Sequence, residues 1–95
     1  MYVVITSINP KVRLVEFIVI FEGRLILASW IPSKYPTKCR IEKVVKGAGL
    51  PKDRFVALTE ALPIILKEQL AGKTIREWMD LVGSSFAIEA ELEAL

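Results

Sequence analysis

Histidine is missing from this 95-residue chain, and with it the commonest general base and metal-binding side chain. Serine–histidine and cysteine–histidine nucleophile pairs therefore cannot be built. Cysteine occurs once, as Cys39, which rules out an internal disulfide and a cysteine-based metal cage. Asparagine and glutamine also occur once each, as Asn9 and Gln69. Scarce amides beside abundant aliphatic and charged residues fit a thermophilic source. No run approaches the roughly 18 apolar residues of a membrane span. The greasiest stretch, 14–31, is interrupted by Glu16, Glu22 and Arg24. The opening residues, MYVVITSI, lack the charged start of a signal peptide. These absences point to a cytoplasmic chain that uses no metal or cofactor, does not meet a membrane and is not an enzyme.

What is present is mostly aliphatic. With 53% hydrophobic and 25% charged residues, the chain is globular rather than disordered. Its length suits one domain (1–95) with a modest core. Val and Ile dominate 2–8, 12–21 and 25–31, which read as three strands. Asn9-Pro10 marks the first turn, and Glu22-Gly23 the second, a tight hairpin. The second strand is apolar on both faces: Val15, Phe17, Val19 and Phe21 on one, Leu14, Ile18 and Ile20 with Glu16 on the other. An antiparallel sheet with one wet face would alternate. So either helices cover both faces, or helices cover one and a second copy of the chain covers the other through Leu14, Ile18 and Ile20.

Charge is divided along the chain. Residues 33–54 carry seven bases (Lys34, Lys38, Arg40, Lys43, Lys46, Lys52, Arg54) against two acids, and residues 55–95 carry three bases against seven acids. Thr37 can cap a short helix over 37–48, stopped by Gly47 and Gly49, with Ile41, Val44, Val45 and Ala48 as an apolar stripe and the cations opposite. A longer helix follows over 52–71. Pro63 should kink or break it near Leu62. Thr74 and Glu77 form a capping box for a further helix that Gly83 closes. The last ten residues are ambiguous. Phe86, Ile88, Ala90, Leu92 and Ala94 alternate with acids as a strand would, while the Ala, Glu and Leu content favours a helix; helix is the reading adopted. The layout of Thr74–Val82, Gly83-Ser84-Ser85 and Phe86–Leu95 resembles the helix–turn–helix of winged-helix regulators. However, Met79 stands where a small residue belongs, and Glu89, Glu91 and Glu93 would repel phosphates.

The expected fold is thus α+β: a three-stranded antiparallel β-meander over 2–31, with a fourth C-terminal strand as the alternative for the end, packed with two to three helices over 37–95. Interleaving of Trp30, Lys34, Tyr35, Lys38 and Arg40 suits single-stranded nucleic acid, since bases stack on rings while cations follow phosphates. The candidate nucleic-acid contacts are Lys34, Tyr35, Lys38, Arg40, Lys43, Lys46 and Arg54; an acidic protein is the other candidate partner. Cys39, flanked by Lys38 and Arg40, is the one candidate reactive group, against the commoner role of a buried small hydrophobe. The functional expectation is a non-catalytic, homo-oligomeric interaction module whose basic helix contacts nucleic acid or an acidic surface. The alternative is a structural assembly subunit or adaptor that binds no nucleic acid.

Overall fold

The computed structural model of the chain describes residues 1–87. Their elements run β1 (Tyr2–Asn9), β2 (Leu14–Phe21), β3 (Arg24–Trp30), β4 (Arg40–Lys46), α1 (Lys52–Leu70), α2 (Ile75–Asp80) and β5 (Ser85–Ala87). The five strands form one antiparallel sheet in the order β4-β3-β2-β1-β5. The expected meander is therefore present and extends by a strand at each edge.

The hairpins follow from local chemistry. Glu22 and Gly23 both have positive φ, 47° and 74°, the backbone of a two-residue turn whose twist matches the strands it joins. Between β1 and β2 the Asn9 side-chain oxygen accepts a hydrogen bond from the Lys11 amide at 3.0 Å, a side-chain substitute for a backbone turn.

The segment expected as a basic helix, 37–48, is instead built around β4. Ile41, Val44 and Val45 are β-branched, and such side chains lose less freedom on a pleated surface than in a helix. The misleading feature is their spacing. β4 pairs with β3 through Lys46↔Leu25, Val44↔Ile26, Lys43↔Leu27, Ile41↔Ala28 and Arg40↔Ser29, with two register shifts. Each shift admits one extra residue, Val45 and Glu42, as a bulge does. Ile41 and Val44 consequently reach the same side of the sheet at a separation of three, which imitates a helical stripe.

Gly47 closes this strand at φ 100°. A Cβ there would lie 2.7 Å from the Gly23 carbonyl oxygen and 3.0 Å from Arg24 Cα, so only glycine lets the strand end pass the β2–β3 hairpin. Arg24 holds the crossing: its Nε donates to Ala48 O at 3.0 Å, and its terminal nitrogen to Gly49 O at 3.2 Å.

Both helices lie on one side of the sheet. Val3, Ile5, Val15, Phe17, Val19 and Ile26 meet Leu58, Leu62, Leu66 and Leu70 of α1 and Trp78 of α2 in a single buried cluster. α1 is continuous through Pro63, where a kink or break was expected; the break does not occur. Proline cannot donate to the carbonyl four residues earlier, and that carbonyl, Thr59 O, instead accepts the Cys39 amide at 3.0 Å. The proline thus frees an acceptor that ties the 31–39 loop to the helix. The capping box is as expected, with Glu77 N to Thr74 Oγ1 at 3.2 Å and Thr74 N to Glu77 Oε1 at 3.2 Å.

Directly after Gly83, over the described residues 84–87, the chain is not helical. The Gly83 amide donates to Ile5 O at 2.7 Å, and Ser85, Phe86 and Ala87 pair with Val4, Val3 and Tyr2. This removes the helix–turn–helix layout and gives the alternative reading, a C-terminal strand on the meander edge, for these three residues. The remaining alternation, with Glu89, Glu91 and Glu93, falls outside the described residues.

Candidate interaction surface

Strand alternation sends Tyr2, Val4, Ile18, Ile20, Leu25 and Leu27 to the face opposite the helices. Among the described residues no element covers that face. Register arranges it in rows across the strands. One row reads Lys46, Leu25, Ile20, Tyr2, Ala87. The next reads Lys43, Leu27, Ile18, Val4, Ser85. A third, polar row reads Arg40, Ser29, Glu16, Ser7. Tyr2 is 54% and Ile20 44% exposed; Val4, Ile18, Leu25 and Leu27 are half-buried by one another. The result is an apolar patch on β1–β3, bordered by cations along β4 and by a polar row at one end.

Two groups that looked separate in the sequence are therefore one surface. Ile18 and Ile20 sit in the patch. Arg40, Lys43 and Lys46 sit beside it on the same face, and among the described residues no carboxylate forms an ion pair with any of them. Leu14 is set apart, since Glu16 lies between it and Ile18 on the strand. It faces instead a groove of about 700 Å3 that runs around the start of β4 and is lined also by Tyr35, Lys38, Arg40, Phe55 and Glu60. Leu25, Leu27, Val4 and Tyr2 had not been singled out. Their signal was the same two-faced apolar pattern, present on β3 as on β2.

The other proposed nucleic-acid contacts scatter. Lys34 and Tyr35 belong to the 31–39 loop, where the Lys34 ammonium lies 5.7 Å from the Tyr35 ring centre. Lys38 lines the groove. Arg54 is on α1 and pairs with Glu22 at 3.6 Å. Trp30 does not form a stacking platform: it is buried in the core and its indole N–H donates to Tyr35 O at 2.7 Å. Trp78 is likewise buried, with Arg13 over its ring at 5.4 Å.

Cys39 is buried, and its thiol approaches Leu58 O at 3.9 Å. Burial pushes its pKa from the ordinary 9.0 up to about 12, because a thiolate there would lose its water. Burial outweighs whatever the flanking Lys38 and Arg40 contribute. Cys39 is thus a small hydrophobe of the core. Among the described residues no cluster of three or more carboxylate or thiol groups could hold a metal ion, and no helix is long and apolar enough to cross a membrane.

No family model matches the chain, and no curated protein or solved structure matches it either. The functional reading rests on the surface itself.

Proposed function

We propose that the chain is a non-catalytic interaction module that pairs with a second copy of itself through the open face of its sheet. One observation carries the reading: both helices lie on the same side, leaving Tyr2, Val4, Ile18, Ile20, Leu25 and Leu27 contiguous on the other. Contiguous apolar surface of this kind marks contact sites, and burying it removes carbon from water at about 25 cal/mol per Å2. Sedimentation equilibrium across a salt series tests this. An apolar contact holds twice the chain mass in both dilute buffer and molar salt. A single-chain mass throughout the micromolar range sinks the reading.

A second reading keeps a specific support. Arg40, Lys43 and Lys46 form a row in which, among the described residues, none is ion-paired, although the Glu42 carboxylate lies beside it, bonded to Ser29 Oγ at 3.3 Å; an acidic strand, such as single-stranded nucleic acid, finds an electrostatic track there. Tyr35 supplies an exposed ring in the groove that Arg40 and Lys38 also line; Tyr2, also exposed, lies three strands away from β4. Titration with labelled oligonucleotides discriminates between the two. Affinity that falls steeply with salt and disappears in the Lys43→Glu/Lys46→Glu variant supports it; no binding at low salt removes it.

A further inference from the structure

We propose that the two copies stack face on face with the two-fold axis running along β2, so that the cation row of each β4 lies over the β1–β5 edge of its partner. This rests on the pairing reading above and adds its geometry.

Symmetry of the patch supplies the first support. β2 is the middle strand of the five, with β3 and β1 on either side. The apolar side chains occupy those three strands. A two-fold along β2 therefore lays Leu25 and Leu27 of one copy over Tyr2 and Val4 of the other, with Ile18 and Ile20 meeting their own counterparts. The self-complementary contact closes at two copies. Aligned sheets pack about 10 Å apart with strands crossing near 30°. The four long strands, of seven or eight residues, present a flat face of roughly 20 by 25 Å at standard spacings. That is about 500 Å2, below the roughly 800 Å2 per partner of a standard interface, so the contact is a small one.

Charge supplies the second. A two-fold across the strands would superimpose the apolar patch nearly as well, but it would set Arg40, Lys43 and Lys46 against the same three cations of the partner. Like charges facing across a drying interface disfavour that arrangement, which opposes three cations to three, whereas the axis along β2 opposes one like-charged pair, Glu16 to its own counterpart. The axis along β2 brings Lys43 over Ser85, and Lys46 over Ala87, of the partner, where the described strands hold no base.

Cross-linking between two single-cysteine surface variants tests the geometry. Lys43→Cys and Ser85→Cys proteins are mixed and treated with a bis-maleimide spanning about 10 Å, the spacing of packed sheets. Lys46→Cys with Ala87→Cys gives an independent pair at equally exposed positions. Cys39 is buried, so unmodified protein serves as the background control. The expected product is the mixed 43–85 and 46–87 species, several-fold over either self-linked one. Dominant 43–43 linkage overturns the axis while keeping the dimer. So does a dimeric mass with no cross-link. A single-chain mass for the unmodified protein overturns the pairing reading itself.

Discussion

Replacing Ile20 by lysine separates folding from association. Ile20 is 44% exposed in the single chain, between Tyr2 and Leu25 in its row. Fully burying an isoleucine contributes about 1.5–3 kcal/mol. The exposed share left for a partner to cover is therefore about 0.7–1.3 kcal/mol per copy, and a two-fold contact counts it twice, for about 1.3–2.6 kcal/mol. A buried ammonium adds a desolvation cost of several kcal/mol per ion. Ile20→Lys should then weaken the dimer by at least about 3 kcal/mol, more than a hundredfold in Kd at about 1.4 kcal/mol per decade. In the single chain the lysine stem can still lie along Leu25 and Tyr2 with its head in water. Urea unfolding of the monomer should consequently shift by about 1 kcal/mol or less. Sedimentation equilibrium over a concentration series reads the association. Ile64→Lys is the control, since Ile64 is 59% exposed on α1, on the opposite side of the molecule. The reasoning is refuted if Ile20→Lys leaves the mass average unchanged, or if Ile64→Lys disrupts it equally.

Two further outcomes follow from the fold. Gly47→Ala should cost about 2–5 kcal/mol in urea unfolding, combining the strain of a positive φ on an L-residue with a Cβ 2.7 Å from a backbone oxygen; a loss below about 0.5 kcal/mol would show that the hairpin crossing yields freely. Cys39 should resist alkylation at pH 8 and react only at the rate of global unfolding. Its raised folded pKa also means that the unfolded chain releases the thiol proton first. Stability should be full below pH 9.0 and should fall as pH rises towards about 12, whereas a Cys39→Ala variant should lack this component of the alkaline loss.

The meander, its turns and the capping box were legible because each depends on short-range chemistry: a positive φ at Glu22-Gly23, a side-chain acceptor at Asn9, a threonine and glutamate three apart. β4 was not, because its two bulges convert period two into a false period near three, and only the partner strand reveals the extra residues. Pro63 does not break α1, for a related reason. Its lost donor is compensated by the Cys39 amide, a partner 24 residues away that no local rule can see. The two-faced apolar pattern on β2 left two readings open, helices on both faces or on one, and both described helices lie on one side. That the basic segment would border it followed from β4 pairing to β3, so the patch and the cations, each visible alone, became one surface only in register.

That shared register bears on how the molecule can associate at all. An open sheet invites growth at its edges, where unpaired amides and carbonyls template a further strand. Here one edge is β4, which carries Arg40, Lys43 and Lys46 and two bulges, and the other is β5, described over three residues. Lysine and bulges both oppose edge pairing, since the charges resist burial and the extra residues break the ladder. Association through the edge is thus blunted by the same strand that borders the apolar face. Face-to-face contact meets no such obstacle, and a two-fold contact closes where edge addition would continue without limit. On the pairing reading, the cations have two effects from one placement: they deny the strand edge to other chains, and they fix which way the partner's sheet must turn.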